Sequence, residues 1–139
     1  MSANERQVGG THYQGQEIQH WDYALICLNN RYFEGAITNY ISRWRNKNGV
    51  QDLEKAAHFL EKLIEVAEDE NFVTMENENI WRRWTINSKE IEDAFLVGYG
   101  VVGSLAQVCR ILSTWATVEC LEEAKALLDE FIKGETNGV

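Results

Sequence analysis

An all-helical fold is what this sequence predicts, and three observations carry the expectation. Proline is absent from the 139 residues, apolar side chains recur at spacings of three and four, and nothing in the first two thirds of the chain reads as a strand. The length suits one domain of about 100–150 residues, and five tryptophans supply large surfaces to bury. The expected organisation is a mobile arm over 1–16, a helical domain over 17–70, a connector over 71–87 and a C-terminal helical pair over 88–134. This gives a compact helical domain with an antiparallel helical hairpin plus the C-terminal pair, assembled as a homo-oligomer.

The first helix is predicted from Ile18 to Asn29, with Ile18, Trp21, Leu25 and Leu28 on one face and Asn29 and Asn30 as its stop. A second helix, Tyr32 to Lys47, repeats Phe33, Ile37, Tyr40, Ile41 and Trp44 along one side and shows Asn39, Ser42, Arg43 and Asn46 on the other. Asn48 and Gly49 end it, since both tolerate the left-handed backbone common after helices. The third, Gln51 to Asp69, carries Leu53, Ala56, Ala57, Leu60, Leu63, Ile64 and Ala67, and the short turn makes helices two and three an antiparallel hairpin.

Capped by Asn87 or Ser88, one long helix then runs to Thr114, with Ile91, Phe95, Gly98, Val102, Leu105, Cys109 and Leu112 on one face and Ala94, Val97, Val101, Val108 and Ile111 on another. Two apolar faces imply neighbours on both, and so a subunit contact that includes Val102 or Leu105. Thr117 caps a last helix whose Leu121, Ala124, Leu128 and Phe131 form the buried stripe before Gly134.

A net charge of −9 argues against general nucleic-acid binding, which relies on clustered cations. The charge is uneven, however: Arg31, Arg43, Arg45 and Lys47 face only Glu34 over that stretch, a local positive island fit for a small anion. Three cysteines without metal-type spacing predict reduced thiols rather than a disulfide framework or zinc site. The start MSANERQVGG has no apolar signal core, so the expected location is the cytoplasm. The uncharged run from Ala94 to Cys109 is too short and too broken by small and polar residues to span a membrane.

Gly98 to Gly103 matches G-x-G-x-x-G, but a dinucleotide site needs that motif between a strand and a helix in a parallel sheet. The helical rhythm continues through these glycines, which points to close helix packing through small residues. No G-x-x-x-x-G-K-[ST] loop or H-E-x-x-H pair occurs, and His12, His20 and His58 lack ligand spacing. The informative cluster is Arg43, Arg45, Lys47 and Asn48 followed by Asp52 and Lys55. Arginine offers a planar fork for phosphate oxygens and lysine a compact charge. The same placement also suits the dipoles of two adjoining helix ends, so structural and anion-binding readings both stand.

The span from Gly9 to about Glu65 resembles the SaV-like family of short phage proteins, whose shared domain has no assigned function. The matching positions are His12, Tyr13, Asp22, Tyr23, Gly35, Tyr40, Ile41, Arg43, Lys47, Asn48, Gly49, Asp52, Leu53, Lys55 and Ala56. Some members of that family are described as nucleotide kinases. The resemblance therefore implies a nucleotide-type phosphorylated ligand, with ATP and Mg²⁺ as co-reactants if the protein is a nucleoside monophosphate kinase, and host cytoplasm as location. The ligand-binding residues expected are His12, Tyr13, Asn39, Arg43, Arg45, Lys47, Asn48, Asp52 and Lys55; Tyr13 would stack on a base and Asp52 would position a metal or donor group. Asn39 stands where family members often carry lysine, which removes a cation from the phosphate-binding face. Two further readings follow: sequestration of a nucleotide signal used in host defence, without turnover, and a structural or host-protein-binding helical oligomer.

Overall fold

A computed structural model describes residues 18–69 and 86–137. Among them are six α-helices and no strand: α1 (His20–Ile26), α2 (Tyr32–Arg43), α3 (Val50–Ala67), α4 (Ile86–Gly98), α5 (Gly103–Thr114) and α6 (Val118–Thr136), with a 3-10 turn at Trp44–Asn46. The arm over 1–16 and most of the connector over 71–87 lie outside the described residues.

Helix α1 is short and buries a different face from the one its apolar spacing predicts. Trp21 and Leu25 are half exposed, whereas Tyr23, Cys27 and Leu28 enter the core. Partners from the far end of the chain decide this: the Tyr23 ring stacks on Phe95 with centroids 4.2 Å apart, and its hydroxyl donates to Glu92 at 2.7 Å. At the start of α1 the Gln19 amide donates to Asp22 Oδ2 at 3.0 Å, satisfying one of the amides a helix end leaves over. The helix ends at Ile26, three residues before the expected Asn29, and Asn29 and Asn30 both adopt positive φ in the turn that follows.

Helices α2 and α3 pack on each other, with Tyr40 edge-on to Phe59 at 5.7 Å. Of the predicted stripe of α3, Leu53, Ala56, Leu60, Leu63 and Ala67 are all within 2 % of full burial, while Ala57 and Ile64 flank them half-buried. That stripe rests on α6, which also packs on α5. Thr117 caps α6 by accepting from the Cys120 amide, and α6 continues through Gly134 rather than ending before it.

The long helix expected from Ser88 to Thr114 is two helices. Helix α4 begins at Ile86, so Ser88 is buried inside its first turn rather than capping it. Gly100, with φ +67°, then closes α4: its amide donates to the Val97 carbonyl at 3.1 Å and the Val101 amide to that of Leu96 at 2.8 Å. This paired closure with a left-handed glycine ends helices in many proteins, and the chain turns before α5. Gly100 and Gly103, both at positive φ, shape this turn, and within the chain a Cβ at either would meet nothing within 4 Å. Helices on both sides also remove the strand that a dinucleotide site requires. Leu105, expected at a subunit contact, is buried within the chain, while Val97 and Val102 remain exposed. All three cysteines are free thiols, and no helix among the described residues is long and apolar enough to cross a membrane.

Candidate functional site

The α2–α3 turn is built by a chain reversal that only glycine enters readily. Gly49 takes φ +64° and ψ −142°, a region nearly closed to side-chain-bearing residues. Its amide closes the 3-10 turn on the Trp44 carbonyl at 2.8 Å. Asp52, three residues into the first turn of α3, reaches back across the reversal. Its Oδ1 accepts from Asn48 Nδ2 at 3.2 Å, and its Oδ2 accepts from the Asn48 amide at 3.4 Å and lies 3.5 Å from Arg43 Nε. Asp52 is fully buried. An acid at a helix N-terminus is favoured by the dipole as well, so this carboxylate holds the turn together.

The expected site residues fall into distinct neighbourhoods around that turn. Towards α3, the Arg43 guanidinium lies 4.8 Å and Lys55 Nζ 5.9 Å from the centre of the Tyr40 ring. Cations are attracted to such ring faces. Towards α5 and α6, Arg45 sits 5.3 Å over Trp44, beside a cleft that Asn46 also lines. Lys47 is exposed at the tip. Asn39 lies apart from these, in an open groove against α1 with His20 and Arg31. His12 and Tyr13 lie outside the described residues.

The positive island also contracts. Arg31 is neutralised by Glu34, at 2.6 Å, and donates to the Leu28 and Leu112 carbonyls at 2.9 and 3.0 Å. Arg43 is shared with Asp52. The exposed cations left are Arg45, Lys47 and Lys55, and none of them has a carboxylate within ion-pair distance among the described residues. Lys62, Lys89, Arg110 and Lys125 each lie within 3.5 Å of one. Lys133, also without such a partner, sits in the last turn of α6, where the dipole favours a cation.

Away from the turn, the interior holds ionisable groups that the sequence reading did not anticipate. Burial pushes the Glu92 carboxyl above its ordinary range, against the opposing pull of the Tyr23 hydroxyl and Arg110. Burial likewise raises the Cys27 thiol to about 12 and holds His20 down at about 4, with the charge of Arg43 adding to the latter effect. His20 Nε2 lies 2.8 Å from the Thr38 hydroxyl. Among the described residues, no three His, Cys, Asp or Glu side chains converge as a metal-binding group.

Comparison with known proteins adds no relative: no family model matches the chain, and neither the curated proteins nor the solved structures give a match.

Proposed function

We propose that this protein binds a phosphorylated small molecule of nucleotide type at the α2–α3 turn and holds it without turnover. The observation that carries this reading is the positive charge left unneutralised by any described carboxylate at Arg45, Lys47 and Lys55, on a chain of net charge −9. Arg45 can engage two phosphate oxygens through its planar fork, Lys47 at the tip of the turn adds a point charge, and Lys55 adds to the field from the α3 side. The resemblance to SaV-like phage proteins supports the same ligand class and a role in the host cytoplasm, where capture of a nucleotide signal would blunt a defence response. Phosphoryl transfer has less support. A kinase would bring ATP and Mg²⁺ to this turn, yet Asp52, the carboxylate expected to position them, is buried with both oxygens engaged by Asn48 and Arg43.

Calorimetry against a panel of linear and cyclic nucleotides tests the reading. A ligand that binds the native state also raises the melting temperature. Tight binding with the ligand recovered intact is the expected result. Failure of every nucleotide to bind removes the proposal, and conversion of a monophosphate in the presence of ATP and Mg²⁺ replaces it with the kinase.

Self-association is part of the same proposal. Val97 is 79 % exposed on α4, with exposed Ala94 one turn earlier, and an apolar face of this kind suits contact with a second copy. Light scattering should show an oligomer that Val97→Glu dissociates; a monomer at micromolar concentration overturns it.

A further inference from the structure

Beside the cationic turn lies a cleft that the phosphate-binding reading does not use. We propose that it receives the nucleobase of the same ligand, making the site selective for nucleotides over bare sugar phosphates; the inference rests on the binding reading above.

Three features of the cleft support this occupant. The first is position: Arg45, one of the unneutralised cations, forms part of its wall together with Trp44 and Asn46, so a ligand whose phosphate meets Arg45 has its other end at the opening. The second is size. The cleft encloses about 110 Å³, whereas pockets that swallow a whole drug-sized ligand hold roughly 300–1,000 Å³. There is room for a flat ring system, with the sugar and phosphate left outside beside the cations.

The third is surface chemistry. Trp44, Tyr99 and Phe131 contribute aromatic rings and Asn46 contributes amide chemistry, a combination that stacks on a base and can meet its polar edge. A bare sugar phosphate has no π-face to offer. The walls are also held in place before any ligand arrives. Trp44 is fixed edge-on to Phe131 at 5.7 Å, and the opposite wall is the α4–α5 turn, closed at Gly100 and anchored by buried Val101. Val102, 66 % exposed, stands on that wall where a larger side chain would fill the opening.

Titration of the full chain with the four nucleoside 5′-monophosphates and with ribose 5-phosphate tests the proposal. At least one monophosphate should bind about tenfold or more tightly than ribose 5-phosphate. Val102→Trp should abolish that preference while leaving ribose 5-phosphate binding unchanged, and Val102→Ala should preserve it. Equal binding of nucleotides and ribose 5-phosphate overturns the base site and leaves the anion site standing. So does a Val102→Trp variant that weakens both ligands together or neither. If none of the five compounds binds, the base site falls as well, and the wider panel of linear and cyclic nucleotides decides the phosphate-binding reading separately.

Discussion

The indole nitrogen of Trp115 donates a 3.1 Å hydrogen bond to Glu34 Oε2 inside the core, across 81 positions of sequence. The same carboxylate pairs with Arg31 at 2.6 Å, and Arg31 reaches on to the Leu112 carbonyl at the end of α5. A buried charge is tolerated only when it is paired and hydrogen-bonded. This group therefore locks the start of α2 against the end of α5 and leaves little freedom in how the two meet.

Glu34→Ala should cost about 3–5 kcal/mol in urea unfolding, because it strands a largely buried guanidinium. Trp115→Phe keeps the ring and loses only the N–H, so it should cost about 1–3 kcal/mol. Equal, small losses for both variants would show that the group is solvated in the native protein.

Acid sensitivity should be traceable to His20. Burial lowers its pKa from 6.5 to about 4, so between those values the unfolded chain binds a proton that the native chain refuses. Stability from the neutral ring is fully present above pH 6.5 and is lost as the pH falls towards 4, on the order of 2 kcal/mol after allowing for partial exposure. Glu92 works in the opposite sense: its raised pKa makes the native state bind the extra proton, so its contribution falls as pH rises above 4.5. Stability measured from pH 7 to 4.5 in wild type and His20→Gln separates the two, since Glu92 is common to both. A pH slope unchanged by the substitution would refute the assignment.

Gly49→Ala should destabilise by about 1–3 kcal/mol, the cost of forcing a side-chain-bearing residue into that backbone region. Steric crowding is not the cause, since an added Cβ would find nothing within 4 Å. Gly35→Ala, at an equally open but helical position, is the control and should be neutral or slightly stabilising by chemical denaturation.

Arg45→Ala and Lys47→Ala should each weaken nucleotide binding about tenfold or more while leaving the melting temperature of the free protein nearly unchanged. Both side chains are exposed, and Arg45 gives up only an exposed contact over the Trp44 ring, of about 0.5–1 kcal/mol. Affinity should also fall as salt is added. Calorimetry at two ionic strengths checks both statements, and affinity indifferent to salt and to both substitutions would move the ligand elsewhere.

These features were unequally legible in the sequence. The α3 stripe and the Thr117 cap are local, repeated or chemically distinctive, so spacing alone locates them. Seven residues of α1 are too few to choose between two apolar faces, and Phe95 and Glu92 make the choice from afar. The break at Gly100 is hidden because apolar residues keep helical spacing on both sides of it, although glycine itself marked a possible stop. At the turn the clustering of cations was readable. That Arg31 and Arg43 are consumed by Glu34 and Asp52, while Trp44 and Tyr40 become platforms for Arg45, Arg43 and Lys55, depends on burial that composition does not report.

The cationic turn lies in the first half of the chain, yet the surface that shields its hairpin does not. Leu121 and Leu128 of α6 are fully buried beside the α3 stripe, Phe131 meets Trp44, and Trp115 completes Glu34. Lifted out as a cassette and grafted elsewhere, residues 18–69 would carry an open apolar flank and a carboxylate missing one of its donors. Engineering of the α2–α3 turn therefore has to keep residues 86–137 attached, because the portable unit is larger than the hairpin that carries the cations.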